Sequence, residues 1–181
     1  MKLAILRVGP VSPNILQNIR RQLSKIFPKT VCSVLNSEMP TPREAYNSRR
    51  NQFHSSSILA KISLYVEKGV ADRILGITDV DLYVPHLNFV FGEAECPGKA
   101  AIISLYRLKP EFYGYSPDST VFVGRSVKEA VHEIGHTLGL GHCHDPSCAM
   151  FFSNSILDTD RKKSAFCERC YSLVMKYLSV V

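Results

Sequence analysis

At 181 residues, 45% of them hydrophobic and 21% charged, the chain is long enough for one domain with a sizeable core. No run approaches the roughly 18 continuous apolar residues of a membrane helix, so no membrane partner is expected. The formal net charge of +6 sits in short clusters, Arg20–Arg21, Arg49–Arg50 and Arg161–Lys163. They form no stripe with interleaved aromatics, so they read as a solvated surface, and nucleic acid is not favoured as a partner.

Lys2–Val8 reads as a buried strand. Ser12 and Pro13 open a helix through about Phe27, with Ile15, Ile19, Leu23 and Ile26 on one face. Thr30–Leu35 reads as a second strand, and the polar, Pro-rich residues 36–54 as a long surface loop. Ser55–Lys68 reads as a helix stopped by Gly69. Arg73–Val84, Asn88–Glu93 and Ala100–Leu108 read as three further strands, and a last helix runs from about Cys167 to Leu178. Strands and helices in this order predict a mixed α/β sheet with helices against it.

Between the last strand and the last helix lies HEIGHTLGLGHCHDPSCAM, residues 132–150. A helix is expected here. Ser126 and Glu129 have the spacing of a capping box, and Val127, Ala130, Val131, Ile134 and Leu138 make an apolar face. His132 and His136, four apart, share one face of that helix and can bind one cation. Glu133 sits about 100° round the helix, suited to act as a base on metal-activated water. Gly139 and Gly141 let the chain leave the helix with positive φ, and a sharp turn would bring His142 to the same ion. Three protein nitrogens with an open fourth position are the pattern of catalytic zinc.

Cys143 and Cys148 form one short-spaced pair and Cys167 and Cys170 another, as a tetrahedral thiolate zinc site requires. The competing reading is two disulfides. Residues 1–10 do not read as a secretory leader, since Arg7 interrupts the apolar run and no small-residue cleavage site follows. A cytoplasmic chain with reduced thiols is expected, which favours structural zinc. Cys32 reads as a small buried hydrophobe. Cys96, and Tyr113 and Tyr115 before the metal helix, are placed where they could approach a cleft.

The chain resembles the archaemetzincins, a branch of the metzincin zinc peptidases. His132, Glu133, His136, Gly139, His142, Cys143, Cys148, Met150, Cys167 and Cys170 carry the likeness, and AYNSRRNQFHSSSIL (45–59), LGITDVDLY (75–83), NFVFGEA (88–94) and FSNS (152–155) extend it over nearly the whole chain. One departure is visible: 16 residues separate Met150 from Cys167, about one fewer than the family pattern. The resemblance implies a metzincin-like twisted sheet with one antiparallel edge strand, an active-site helix and a zinc-stapled C-terminal subdomain. Residues 1–139 would hold the sheet and active-site helix, and 140–181 the methionine turn and structural zinc. Met150 would form an apolar floor beneath the histidines. Asn88–Glu93 would be the edge strand, taking a peptide substrate as an added strand through main-chain bonds at Val90 and Gly92.

These readings imply a zinc-dependent peptidase with two zinc ions per chain, one catalytic and one structural, Glu133 as general base, and peptides or proteins as substrates. A monomer is expected. The alternative is a non-catalytic zinc protein that binds partner peptides through the same cleft.

Overall fold

Side chains alternate between the two faces of a strand, and β1 (Lys2–Val8) is apolar on both. Leu3 and Ile5 enter one apolar cluster, Ala4, Leu6 and Val8 the other. A strand buried on both faces belongs at the centre of a sheet covered by helices on each side. In the computed structural model, which describes residues 1–67 and 69–180, the chain continues through α1 (Pro13–Ile26), β2 (Val31–Met39), β3 (Tyr46–Asn47), β4 (Gln52–His54) and α2 (Ser55–Glu67). Then come β5 (Arg73–Thr78), β6 (Leu82–Tyr83), β7 (Gly92–Ala94), β8 (Ala100–Ser104), α3 (Ser119–Thr137), α4 (Ile156–Arg161) and α5 (Glu168–Val180).

The main sheet has the order β2-β1-β5-β8-β7. Its first four strands are parallel, and β7 runs antiparallel to β8 at the edge. Helices α1 and α3 cover one face, burying Ile19, Leu23, Phe27, Val127, Val131 and Ile134 against Leu75, Ile77 and Ile103. Helix α2 covers the other, with Ile58 and Ile62 against Leu6, Ile74 and Ile102. No helix among the described residues is long and apolar enough to cross a membrane.

The expected mixed α/β architecture with one antiparallel edge strand is present. Several boundaries differ. β2 runs to Met39, because Glu38 and Met39 stay in register with Arg7 and Val8 past a bulge. The expected loop 36–54 therefore holds the end of β2, a 3₁₀ turn at Arg43–Ala45, and β3 and β4 of a second, three-stranded sheet of order β3-β4-β6. The single strand expected over Arg73–Val84 is two, since β5 stays in the main sheet while β6 pairs with β4. Asn88–Glu93 joins the main sheet only from Gly92, and Ala100–Leu108 ends as strand at Ser104 before a 3₁₀ turn. The expected end of α2 at Lys68 lies outside the described residues. α4 had no expected counterpart, because its single turn and a half is too short to show a periodic apolar face.

Candidate active site and metal centre

α3 starts two turns before the expected capping box. Asp118 caps it, its carboxylate accepting the amides of Thr120 (2.8 Å) and Val121 (3.0 Å). Ser126 is interior, its hydroxyl donating to the Phe122 carbonyl at 2.8 Å. At the other end Gly139 adopts φ 84°. The amide of Gly139 reaches the His136 carbonyl (2.8 Å) and that of Leu140 the Gly135 carbonyl (3.2 Å), the two bonds of a Schellman stop. Gly141 does not take positive φ, so the reversal falls on Gly139 alone.

That reversal returns His142 to the helix face. His132, His136 and His142 each present a ring nitrogen, all within 4.8 Å of one another. His132 Nδ1 lies 2.8 Å from the Ala149 carbonyl and His136 Nδ1 2.7 Å from the Leu140 carbonyl. A carbonyl only accepts, so each Nδ1 carries the proton and each Nε2 keeps a free lone pair. The two Nε2 atoms then face each other at 3.0 Å. Two lone pairs at that separation repel unless a cation lies between them, so the donor set fits a divalent metal. Burial, with the positive charge of Lys162, holds all three imidazoles below the usual histidine value, in the neutral form a metal needs.

Glu133 is buried under the edge strand, and burial, reinforced by the charge of Glu129, pushes its carboxyl well above the ordinary range. A Cβ on Gly92 would stand 2.6 Å from Glu133 Oε1 and 2.6 Å from the Ile102 carbonyl, so glycine there is what lets the edge strand pass over the carboxylate. On the far side of α3, a Cβ on Gly135 would stand 2.3 Å from Met150 Sδ. Met150, fully buried, thus packs directly on the helix backbone between His132 and His136.

The four cysteines also converge. Their sulfurs lie within 4.8 Å of one another, with Cys143 and Cys167 3.8 Å apart, so no pair is a disulfide. The amides of Met150 (3.5 Å) and Cys167 (3.3 Å) donate to Cys148 Sγ. Burial pushes the Cys148 and Cys170 thiols up while a backbone amide holds Cys167 down. Sulfurs this close can share one cation once ionised, and four sulfur donors suit zinc. The shorter interval between Met150 and Cys167 does not keep them apart.

A cleft of about 210 Å³ opens beside Glu133, between residues 86–92, the α3 residues Glu129, His132 and Glu133, and Phe152–Asn154. On either side of β7, the Phe91 carbonyl accepts the Ser104 amide (2.8 Å) and the Glu95 amide donates to the Ala100 carbonyl (3.1 Å), both bonds to β8. By the two-residue alternation, the main-chain groups of Gly92 and Ala94 face outward from the sheet. Val90, expected to bond a peptide as Gly92 would, spends its amide on the Leu82 carbonyl at 3.0 Å.

Two charged residues of the site escaped the sequence reading. Glu129 is not a capping residue but a cleft-lining carboxylate, accepting the Thr159 hydroxyl (2.8 Å) and paired with Lys162 (3.0 Å). Lys162, assigned to a solvated basic cluster, has a side chain with no exposure at all. The signal available was its place just after α4, within reach of α3. Tyr113 and Tyr115 do not line the cleft: Tyr113 donates to the Arg107 carbonyl and Tyr115 is exposed. Cys32 is buried as expected. The Cys96 thiol lies 3.6 Å from the Leu140 carbonyl, outside the cleft lining.

Residues 14–176 match the model of peptidase family M54. The chain is 46% identical to the archaemetzincin of Methanocaldococcus jannaschii, over 94% of this chain and 90% of that one. The chain belongs to the archaemetzincin family. The archaemetzincin of Pyrococcus abyssi is 41% identical over 97% of this chain and 95% of its own. Among solved structures, the Methanopyrus kandleri archaemetzincin superposes with TM-score 0.85 at 38% identity, covering 99% of this chain and 96% of that one. A zinc-dependent peptidase from Methanocorpusculum labreanum gives 0.86 at 30%, covering 95% and 99%. As an archaemetzincin, the chain is a zinc metallopeptidase.

Proposed function

We propose that this archaemetzincin hydrolyses peptide bonds in the cleft beside α3, with His132, His136 and His142 holding a catalytic zinc and Glu133 as general base. The carrying observation is the pair of imidazoles whose Nδ1 protons are committed to carbonyls while their Nε2 lone pairs face one another at 3.0 Å. Bound by the three nitrogens, zinc supplies Lewis-acid polarisation of the scissile carbonyl and activation of water. Glu133 accepts the proton of the attacking water and returns it to the leaving amine. Its buried, raised-pKa setting suits that exchange, because a carboxyl poised nearer neutrality both takes and gives a proton readily. Gly92 and Ala94 present outward main-chain groups to a peptide added as an extra strand. Met150 is the apolar floor, and Cys143, Cys148, Cys167 and Cys170 hold a second, structural zinc that defines a C-terminal subdomain over 140–181.

The test is digestion of a mixed peptide library by zinc-loaded protein, with products read by mass spectrometry. Cleavage is expected in the wild type and not in Glu133→Ala, with two zinc ions per chain retained in both. A fully active Glu133→Ala would refute the assigned base.

A further inference from the structure

The upper rim of the cleft, residues 86–90, has little sheet to lean on. Bonding to β8 ends at the Phe91 carbonyl, and Val90 touches β6 through a single bridge to Leu82. His86 stands at φ 72°, a left-handed conformation that a residue with a side chain enters at a cost.

That turn is closed locally, the Leu87 amide donating to the Val84 carbonyl at 3.3 Å across Pro85 and His86; the residues that follow it are held by segment 50–52, in a stretch that the proposed chemistry leaves without a role. Arg50 donates from one terminal nitrogen to the carbonyls of Leu87 (2.8 Å) and Asn88 (2.9 Å), and from Nε to Gln52 Oε1 (2.9 Å). Its guanidinium lies 4.5 Å from the centre of the Tyr83 ring. Gln52, nearly buried, donates to the Asn88 carbonyl (2.9 Å) and to Asp81 (3.0 Å). Asp81 in turn takes two 2.7 Å bonds from Arg107, whose guanidinium carbon is 4.4 Å from the centre of the Phe89 ring. The rim is thus fixed from behind by one connected network.

A trans peptide unit points its N–H opposite to its C=O. The Leu87 and Asn88 carbonyls are drawn toward Arg50, which does not line the cleft. The amides of Asn88 and Phe89 therefore point away from Arg50, and both residues line the cleft. Two successive N–H groups aimed to one side form a concavity that receives an acceptor oxygen. We propose that Arg50 is a positioning residue for substrate. By holding the two rim carbonyls it presents the Asn88 and Phe89 amides to an acceptor oxygen of the peptide main chain, an internal carbonyl or a terminal carboxylate. This rests on the peptidase reading of the cleft.

The test measures binding and turnover separately. Retention of a mixed heptapeptide pool by zinc-loaded protein is measured by equilibrium ultrafiltration in a Glu133→Gln background, which leaves the peptides uncut. Rates are measured with Glu133 intact. Arg50→Ala and Arg50→Lys are both expected to weaken retention and raise KM about tenfold, the scale of one or two lost charge-assisted hydrogen bonds, with kcat within about twofold. Lysine keeps the charge but not the fork, so it serves where alanine fails to fold. Methylguanidinium is expected to restore retention in Arg50→Ala, which a general loss of packing would not allow, and exposed Arg49→Ala is expected to match the wild type. Retention that survives C-terminal amidation of the pool assigns the oxygen to an internal carbonyl, and retention lost on amidation assigns it to the terminal carboxylate. Retention and KM unchanged in both Arg50 variants, or a fall in kcat alone, would overturn the proposal. A pool retained through Arg50 but never cut would sink the peptidase reading and leave this one standing.

Discussion

Single atoms decide much of this site. Adding one methyl at Gly92 meets both the Glu133 carboxylate and the Ile102 carbonyl, so Gly92→Ala should cut activity at least about tenfold through displacement of Glu133 or the strand. Zinc content should be unchanged, and metal analysis beside initial rates checks this. Gly135→Ala should act on stability instead. It overpacks Met150, which has no free space, and should cost about 1–3 kcal/mol in denaturant unfolding of the zinc-loaded protein. The Glu129–Lys162 pair makes a sharper case. Glu129→Gln leaves a fully buried ammonium without its counter-charge and should cost about 3–5 kcal/mol, whereas Glu129→Gln with Lys162→Met should cost clearly less. The convergence of the three histidines and of the four cysteines was legible because their spacing implies one face of a helix and one tetrahedron. Lys162 and Arg50 were not. Nothing in a basic tripeptide or an Arg-Arg pair tells a solvated cation from one that is buried or clamped onto carbonyls, since that depends on what folds over it.

At the scale of elements, α3 and the turn after it form one mechanical piece. Cys148, Ala149 and Met150 are consecutive and touch three different things: the thiolate cluster, the Nδ1 proton of His132, and the backbone of Gly135. The Cys143 amide closes the turn onto the Met150 carbonyl at 2.9 Å. Loosening the cysteine cluster should therefore reach the three histidines without touching them. Cys167→Ser with Cys170→Ser should lower activity sharply and leave one zinc per chain, and full activity at that stoichiometry would show the two centres to be independent. The strands were legible where an apolar run is buried on both faces, as in β1 and β8. They were misjudged where pairing is set by a partner far along the chain. β4 and β6 are two or three residues long and exist because Phe53 and Leu82 lie in register; neither has enough alternation of its own to be seen.

For the whole molecule, acid is the informative variable. Folding depresses all three histidines below their ordinary value of 6.5, so the metal-free native state binds fewer protons there than the unfolded chain. That stability is present above about pH 6.5 and is lost as pH falls. Glu133, raised above its ordinary 4.5, works in the opposite sense, stabilising at low pH and losing that contribution as pH rises through its folded value. Three groups oppose one, so the thermal midpoint of chelator-treated protein should fall between pH 7 and pH 5, and a flat or rising midpoint would contradict the burial of these rings. The open edge at β7 has a consequence of another kind. The strands that make that edge are complete by Ser104, while every histidine and cysteine of the two centres follows residue 130. During synthesis the sheet can close before the helix that covers β7 from below exists. For that interval the nascent chain offers an unguarded strand with no chemistry behind it, a template for pairing with a neighbouring chain. Arrest of translation between these points should yield aggregates that zinc cannot rescue.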